Sequence, residues 1–212
     1  MELSLLWILL AAFLLTTAFF LLYQHVKFSA GKEGALALSL KGGATICCFL
    51  IALYGAIQAP DSGHILIASG LLISALADVL LGWRFYPGML CFALAHVCYG
   101  AGYVLFSPPG WQSLLCFLVC FAGINLLIPW AKKKMGDTGI LPFAAYGIVL
   151  SAMLSLAITQ RPLLLIGAAL FVASDLLLGR RIALNITQKG YDYLCLGCYY
   201  LAQFLIAASM LF

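Results

Sequence analysis

Charged side chains are scarce in this sequence. Only 8% of its 212 residues are Asp, Glu, Lys or Arg, whereas a soluble domain carries about 25%. Hydrophobic residues make up 65% of the chain, so it cannot surround a core with a water-facing surface. This composition excludes a soluble domain of any size and predicts an all-α integral membrane protein. We expect membrane lipids around it and no nucleic-acid partner.

Histidine is also rare, and the three histidines form no metal-binding pattern. Only His96 falls inside an apolar segment, whereas His25 and His64 lie at or beyond the ends of such segments. Zinc sites require several nitrogen or sulfur ligands. All eight cysteines fall in apolar segments and Cys195-x-x-Cys198 has no second pair beside it, so we interpret them as packing residues. The sequence predicts no metal and no cofactor.

A basic region is missing from the N-terminus, where a secretory signal peptide would carry one. The apolar run over residues 3–22 is long enough to span a bilayer, so we interpret it as a retained first helix. Turn-forming residues separate seven further apolar segments. The eight predicted transmembrane helices are residues 3–22, 36–58, 64–82, 87–106, 112–130, 139–159, 162–179 and 191–212. They make up a single transmembrane domain over residues 1–212.

Basic residues are almost absent from one side of this predicted domain. Nine fall in the loops after odd-numbered spans, namely Lys27, Lys32, Arg84, Lys132, Lys133, Lys134, Arg180, Arg181 and Lys189. Only Arg161 falls on the opposite side. Because cytoplasmic loops are enriched in Lys and Arg, we expect the odd-numbered loops in the cytoplasm and both termini outside. In a bacterium the protein would lie in the cytoplasmic membrane.

Acidic residues are rare too, yet two of the seven lie well inside predicted spans. Asp78 belongs to residues 70–84, which read GLLISALADVLLGWR, and Asp175 belongs to residues 167–181, which read GAALFVASDLLLGRR. A charged residue in a membrane helix costs about 2.5–3.5 kcal/mol on insertion scales, and such residues are functional-site candidates. The two aspartates are therefore the first candidates for a site.

The two aspartate segments also indicate an internal repeat. The helices that follow them match weakly, with His96 in the fourth span opposite Gln203 in the eighth. We predict tandem four-helix halves, about residues 1–107 and 108–212. Because each half has an even number of spans, both have the same orientation and are related by a pseudo-two-fold axis along the membrane normal.

Several polar side chains are predicted at a depth similar to that of the aspartates. Ser74 lies one turn before Asp78 on the same helix face. The others are Lys41 in the second span, His96 and Tyr99 in the fourth, and Tyr200 and Gln203 in the eighth. Buried polar groups in a membrane pair with one another or line a wet cavity. We therefore expect one polar cavity open toward the cytoplasmic leaflet.

The sequence resembles the YhhN-like lysoplasmalogenases over essentially its whole length. The resemblance is carried by LLISALADVLLGWR in the third span, FALAHVCYGAGY in the fourth, PFAAY ending at Tyr146 in the sixth, GAALFVASDLLLG in the seventh and YYLAQFLI in the eighth. Lys41 in the second span is similar too. The resemblance implies hydrolysis of the sn-1 vinyl ether of a lysophospholipid, a lysoplasmalogen. The products would be a fatty aldehyde and glycerophosphoethanolamine or glycerophosphocholine.

Vinyl ether hydrolysis needs a proton donor, an anion near the developing cation and a positioned water. Two carboxylates in one cavity can divide these tasks. We expect Asp78 and Asp175 to be the catalytic acid and base, with the order open, and Lys41 to lie near the phosphate. The side chains expected to orient the substrate, a carboxylate or the water are Ser74, His96, Tyr99, Tyr146, Tyr200 and Gln203.

Two other classes of membrane protein stay open. An intramembrane aspartate-dependent hydrolase of the protease class also uses two aspartates, but its Gly-x-Gly-Asp signature is absent because Val172-Ala173-Ser174 precedes Asp175. A tandem repeat with polar groups inside the membrane is typical of transporters, so the second alternative is a proton-coupled lipid or small-solute transporter. Release of fatty aldehyde would favour the enzyme, and flux across sealed vesicles without turnover would favour the transporter. The sequence does not predict an oligomeric state.

Overall fold

The computed structural model describes residues 3–135 and 137–212, with side chains for all of these except 125, 127–132 and 134–140. The described backbone forms eight α-helices and one short 3-10 helix, and it contains no β-strand. The α-helices are α1 (Leu3–Ala30), α2 (Ala35–Gln58), α3 (Ser62–Trp83), α4 (Phe85–Phe106), α5 (Trp111–Met135), α6 (Asp137–Ala157), α7 (Pro162–Leu184) and α8 (Lys189–Ala208). The 3-10 helix, Ser209–Leu211, follows α8 directly.

The eight α-helices correspond one to one to the eight predicted segments. Six of them, α1 to α4, α7 and α8, are long and apolar enough to cross a membrane. Among the described residues, α5 and α6 contain shorter apolar stretches, Trp111–Ile124 and Leu141–Ala157. An all-helical fold and a multi-pass membrane protein are therefore confirmed. Crossing of the membrane by all eight helices stays a prediction.

Two loops are shorter than predicted because the helices before them continue. α1 passes its predicted end at residue 22 and reaches Ala30, and α7 passes residue 179 and reaches Leu184. The long connection predicted over residues 180–190 is therefore wrong. Most of that segment is helical, and basic residues assigned to the two loops lie in helices instead.

The end of α7 has a clear local cause. Asn185 adopts the left-handed conformation with φ at 52°, and its N–H bonds back to the carbonyls of Arg181 and Ile182. Asparagine tolerates this conformation and is a known helix stop. Arg181 in α7 and Lys27 in α1 occupy the last turns of their helices, where the helix dipole favours a cation.

Orientation relative to the membrane stays a prediction. Lys27 in α1, Arg84 after α3 and Arg181 in α7 lie at the end of the bundle where odd-numbered helices finish. The side chains of Lys132 and Lys134, and residues 1 and 2 of the predicted outer N-terminus, lie outside the described residues.

Helix packing follows the chain within each predicted half. Consecutive helices contact each other from α1 to α4 and from α5 to α8, and the main contacts between the two groups are α4 with α6 and α2 with α8. In a tandem repeat α4 corresponds to α8 and α6 corresponds to α2. The two contacts would then be equivalent. The packing supports the repeat of residues 1–107 in residues 108–212, which stays a prediction.

The first glycine of each aspartate segment allows close packing with the following helix. An added Cβ at Gly70 would overlap the ring of Tyr99 in α4, and one at Gly167 would lie 2.8 Å from Ile206 in α8. Small residues let membrane helices approach each other in this way. Both glycines therefore bring a polar helix, α4 or α8, against an aspartate-bearing helix, α3 or α7.

Candidate active site

Both membrane aspartates line one cavity. Its volume is about 380 Å³, within the usual size range of small-ligand sites. Helices α1, α2, α3, α4, α7 and α8 contribute to its wall. The charged side chains that line it are Lys27, Glu33, Lys41, Asp78, Asp175, Arg181 and Asp192. The folded chain therefore brings the two similar segments to one place.

Asp78 is buried and contacts α2 and α8. Its Oδ2 accepts hydrogen bonds from Thr45 Oγ1 at 2.5 Å and from Tyr199 OH at 2.7 Å. Lys41 Nζ lies 3.8 Å from Oδ1, and Lys41 is only 5% exposed. Two hydroxyl donors on one oxygen and a cation near the other suit a carboxylate that carries a negative charge.

A row of hydrogen bonds continues from Asp78 to α4. Gln203 Nε2 donates to Tyr199 OH at 2.9 Å, and Tyr99 OH donates to Gln203 Oε1 at 3.0 Å. The hydroxyls of Ser74 and Tyr99 lie 3.0 Å apart. All of these side chains are buried. In a membrane interior such a connected row fixes side-chain positions, so it holds Tyr199 against Asp78.

Asp175 has different partners, which come from α6 and α4. Tyr146 OH donates to its Oδ2 at 2.6 Å, and His96 Nε2 lies 3.3 Å from the same oxygen. The distance between His96 Nε2 and the Tyr146 hydroxyl is 3.0 Å. Oδ1 of Asp175 accepts no hydrogen bond from any described residue, and its side chain is 11% exposed. Asp175 lines the cavity and therefore keeps one oxygen without a partner among the described residues.

Asp175 also borders an apolar groove between α4, α6 and α7. The groove has a volume of about 50 Å³, and its wall includes Phe85, Phe143 and Gly179 but not Asp78. The rings of Phe85 and Phe143 stack with their centroids 5.7 Å apart. An added Cβ at Gly179 would meet no atom within 4 Å. Of the two aspartates, Asp175 alone faces both the cavity and the groove.

Five residues from four segments meet at the mouth of the cavity, and we call them the mouth cluster: Tyr23, Lys27, Glu33, Arg181 and Asp192. Lys27 Nζ lies 2.9 Å from Glu33 Oε1 and 2.9 Å from Asp192 Oδ2. Arg181 Nη1 donates to Asp192 Oδ1. Tyr23 OH donates to Glu33 Oε1 at 2.7 Å. The mouth cluster joins α1, the α1–α2 loop, α7 and α8.

Glu33 lies in the loop between α1 and α2, and its surroundings keep it ionised. Burial alone would raise the pKa of Glu33. The nearby cations Lys41 and Lys27 and the hydrogen bond from Tyr23 outweigh this effect, so the pKa of Glu33 is below its usual value. At neutral pH the mouth cluster therefore contains a charged glutamate.

The predicted site residues lie in different places relative to the cavity. Asp78, Asp175 and Lys41 line it. His96 and Tyr146 lie behind Asp175, as their contacts with its Oδ2 show. Three of these five predicted residues therefore line the cavity, and the other two contact Asp175.

Three further predicted residues reach Asp78 only indirectly. Gln203 and Tyr99 connect to it through Tyr199. Ser74, which the helical spacing placed beside Asp78, contacts the hydroxyl of Tyr99. The reason is that Ser74 lies one turn before Asp78 in α3, at the level of Tyr99 in α4. The predicted neighbours thus support the site from behind.

Tyr200 has a contact that spacing did not predict, and two residues were missed. Tyr200 OH donates to the carbonyl oxygen of Lys41 at 3.1 Å and not to a carboxylate. Thr45 and Tyr199, which donate directly to Asp78, were not among the predicted site residues. A weak signal existed for each, because Thr45 lies one helical turn after Lys41 and Tyr199 adjoins Tyr200.

The mouth cluster was also missed, because its members are far apart in the sequence. Lys27 and Asp192 are 165 residues apart, and no local pattern links them. Among the described side chains, no group of three or more His, Cys, Asp or Glu residues could hold a metal ion.

Comparison with known proteins identifies the family of this chain. Residues 36–210 match the YhhN family. The chain belongs to the YhhN family. The matched range includes every predicted site residue, from Lys41 to Gln203. The resemblance noted in the sequence is confirmed.

Several relatives of this YhhN-family chain are named lysoplasmalogenase. It is 33% identical to lysoplasmalogenase TMEM86B of Homo sapiens over 162 residues, which cover 73% of this chain and 68% of the relative. It is 33% identical to a lysoplasmalogenase of Mycobacterium tuberculosis over 126 residues, covering 53% of this chain and 48% of the relative. Lysoplasmalogenase TMEM86B of Rattus norvegicus is 31% identical over 170 residues, covering 78% and 70%. No solved structure matches the chain.

Proposed function

We propose that this YhhN-family protein is a lysoplasmalogenase, a membrane hydrolase that cleaves the sn-1 vinyl ether of a lysophospholipid. The products are a fatty aldehyde and glycerophosphoethanolamine or glycerophosphocholine. One observation carries the proposal: Asp78 and Asp175, from two similar helices, line a single cavity. The relatives named lysoplasmalogenase make this reaction the first choice for a two-carboxylate site in this family.

The reaction proceeds by acid catalysis. A carboxylic acid transfers its proton to the β-carbon of the vinyl ether, and the α-carbon becomes part of an oxocarbenium ion. Water adds to the α-carbon while a base takes one of its protons. The hemiacetal then collapses. The carboxylate that gave the first proton takes the hemiacetal hydroxyl proton, so the oxygen from water becomes the aldehyde oxygen, and the group that took a proton from water gives it to the leaving glycerol oxygen. One water is consumed, and both carboxyl groups recover their starting states.

We assign the acid to Asp175 and the anionic role to Asp78. The β-carbon is on the fatty-chain side of the ether oxygen, and Asp175 is the aspartate that borders the apolar groove. Its Oδ1 has no partner among the described residues and is free to carry the proton. Asp78 accepts two hydroxyl donors beside Lys41, so it is placed to stabilise the cation and to accept a proton from water.

The substrate would lie across the cavity with its two ends in different surroundings. The fatty chain leaves past Asp175 into the groove, where Phe85 and Phe143 provide apolar walls. The phosphate lies toward Lys41 at the other side of the reacting bond. With the predicted orientation, the substrate enters from the cytoplasmic leaflet.

Two groups of side chains would position the carboxyl groups. Tyr146 and His96 occupy one oxygen of Asp175 and direct the other toward the substrate. Tyr199, held by Gln203, fixes Asp78 from the opposite side. These are positioning residues, since their contacts are with the carboxyl groups.

The test uses purified protein in detergent with lysoplasmenylethanolamine in D₂O. Proton transfer to the β-carbon predicts fatty aldehyde with one deuterium at C2, measured by mass spectrometry. Water labelled with ¹⁸O should place its oxygen in the aldehyde. Absence of aldehyde, together with flux of the lipid or a proton across sealed vesicles, would contradict the proposal and favour a transporter. Aldehyde without deuterium at C2 would contradict the acid mechanism.

A further inference from the structure

Two cations that line the cavity have hydrogen-bond donors that no described residue uses. Lys41 is only 5% exposed, yet its Nζ donates no hydrogen bond to a described residue, and its one ion-pair contact there is Asp78 Oδ1 at 3.8 Å. Arg181 donates through Nε to the carbonyl of Ile186 and through Nη1 to Asp192. Its Nη2 has no partner among the described residues. Lys41 is a buried cation with free donors, which indicates a site for an anion. The Arg181 side chain is 30% exposed and offers a further donor on the same cavity.

One carboxylate of the mouth cluster has a free acceptor. Glu33 Oε1 accepts from Tyr23 and Lys27, whereas Oε2 accepts no hydrogen bond from a described residue. Oε2 lies against Gly82, since an added Cβ there would be 2.5 Å away. The Glu33 side chain is 23% exposed. Both oxygens of Asp192 already accept from Arg181 or Lys27, so Glu33 offers the available acceptor.

We propose that the mouth of the cavity binds the phosphoethanolamine headgroup of the lipid, with the phosphate at Lys41 and Arg181 and the primary ammonium at Glu33. The proposal rests on the proposed function, because it orients the same lipid in the same cavity. The free donors and the free acceptor are of opposite charge and line one space. A zwitterion satisfies both and leaves no buried charge unpaired.

The same groups distinguish ethanolamine from choline. A primary ammonium donates hydrogen bonds to a carboxylate such as Glu33. A quaternary ammonium has no N–H, and sites that prefer it surround it with aromatic faces. A choline group would therefore leave Glu33 Oε2 without a hydrogen bond. Of the aromatic residues that line the cavity, Tyr23, Phe85, Phe92 and Tyr199, Tyr23 is the one that belongs to the mouth cluster, and its hydroxyl is already bonded to Glu33. The site therefore favours ethanolamine lipids over choline lipids.

The first experiment measures binding without hydrolysis. Wild-type protein in nanodiscs is titrated with four ester lipids of one chain length: lysophosphatidylethanolamine, lysophosphatidylcholine, lysophosphatidic acid and monoacylglycerol. The Kd of each lipid is obtained from the shift in unfolding temperature. We expect Kd to be lowest for lysophosphatidylethanolamine, higher for lysophosphatidylcholine and highest for monoacylglycerol. The Kd for monoacylglycerol should exceed that for lysophosphatidylethanolamine by about 10-fold or more. Glycerophosphoethanolamine should bind, and inorganic phosphate at the same concentration should not.

The second experiment changes one charge of the site at a time. Glu33→Gln keeps the acceptor for Tyr23 but loses the charge, so the ratio of ethanolamine to choline affinity should fall about 10-fold toward one. Lys32→Gln, at an exposed neighbouring position, should leave the ratio unchanged. Because the ratio is measured within one variant, a change in the amount of folded protein does not alter it.

Arg181 is tested by the dependence on phosphate. Arg181→Gln should raise Kd for lysophosphatidic acid by about 10-fold or more and leave Kd for monoacylglycerol unchanged. Arg181→Lys, which keeps the ion pair with Asp192, provides a second variant if the first does not fold. Arg180→Gln is the matched control, since Arg180 is exposed.

Equal binding of the ethanolamine and choline lipids, or the same selectivity in Glu33→Gln as in Lys32→Gln, would overturn the headgroup site. Binding of inorganic phosphate as strong as that of glycerophosphoethanolamine would overturn it as well. These outcomes are independent of the proposed function, which fails if no vinyl ether is hydrolysed. Headgroup-selective binding without aldehyde formation would therefore support the site and contradict the enzyme.

Discussion

Asp78 and Asp175 occupy matching positions in two similar segments, yet their surroundings differ. Asp78 accepts hydrogen bonds from Thr45 and Tyr199 and lies beside Lys41. Asp175 contacts Tyr146 and His96 and borders an apolar groove. The difference shows that two similar segments can place their carboxyl groups in unlike surroundings, as the proposed mechanism requires. The local sequence is shared, and the partners from neighbouring helices are not.

The glycine four residues after each aspartate shows the same divergence. An added Cβ at Gly82 would overlap Leu38 and lie 2.5 Å from Glu33, whereas one at Gly179 would meet nothing within 4 Å. Gly82 therefore makes room for a carboxylate of the mouth cluster. Gly179 leaves space in the apolar groove. The same position in the two segments therefore lies beside a charged residue in the first, at Gly82, and in the apolar groove in the second, at Gly179.

The helices that supply the partners nevertheless correspond. Asp78 receives its partners from α2 and α8, and Asp175 receives its partners from α6 and α4. In the predicted repeat α2 corresponds to α6 and α8 corresponds to α4. The geometry thus supports a repeated scaffold with diverged side chains.

The largest expected effect comes from removing either carboxylic acid. Asp78→Asn and Asp175→Asn should each lower kcat for lysoplasmenylethanolamine by about 1,000-fold or more, because both the proton donor and the anion are needed. Asp61→Asn is the control, since Asp61 caps α3 through the His64 N–H and asparagine is an equally good cap. Aldehyde release is the measurement. Near-wild-type kcat in both site variants would contradict a catalytic role for the two aspartates.

Removal of one tyrosine hydroxyl that donates to each aspartate should have a smaller effect. Tyr146→Phe removes one donor from Asp175, and Tyr199→Phe removes one of the two hydroxyl donors from Asp78. We expect kcat/KM to fall about 10-fold to 100-fold in each variant. The Tyr103 hydroxyl is buried without a partner among the described residues, so Tyr103→Phe should have little effect. If Tyr103→Phe were as damaging as the other two, the losses would reflect packing and not support of the carboxyl groups.

Substitution of the paired glycines should separate the two ends of the cavity. Gly179→Leu fills the groove, so KM should rise about 10-fold for long-chain substrates and little for short-chain substrates, since several buried methylenes are lost. Gly82→Ala displaces Glu33 and should lower selectivity for ethanolamine without changing chain-length preference. KM is measured over a series of chain lengths and both headgroups. Identical effects of the two variants would mean that the ends are not specialised.

The smallest expected effect concerns pH and Glu33. Its pKa is lowered from 4.5 in the folded protein, so its contribution to stability is present above about pH 4.5 and is lost as the pH falls through the lowered pKa. Glu33→Gln should lower the unfolding temperature at pH 7, by about 2–4 °C for each kcal/mol lost. The difference from wild type should shrink below about pH 4.5. A difference that stays constant with pH would exclude a charged role for Glu33.

Much of the fold could be predicted because it depends on local composition. Each apolar segment predicted a helix, and an aspartate within each of two such segments was enough to indicate a site. The end of α7 could not be placed, because Arg180 and Arg181 resemble loop residues in composition, while helix formation continues to the stop at Asn185. Arginine is a good helix former, so charge alone did not mark the boundary.

The site was predicted only in part, because the sequence shows spacing within one helix and not contacts between helices. Polar residues one turn apart on one helix were found, but partners on different helices were not. Tyr199 and Asp78 are 121 residues apart, and no helical spacing connects them. Ser74 was placed beside Asp78 by spacing within α3, whereas its closest polar contact is Tyr99 of α4.

By itself, the sequence determined that the chain is a helical membrane protein with two costly carboxyl groups, because the burial of apolar side chains and the cost of buried charge are properties of each segment alone. Only the tertiary structure decided that these groups share one cavity, that Lys41 and two hydroxyls accompany Asp78, and that Asp175 faces the groove. Such contacts depend on which helices pack together and at what depth. That arrangement arises from all the helices jointly, so matching segments such as those of Asp78 and Asp175 acquire different surroundings.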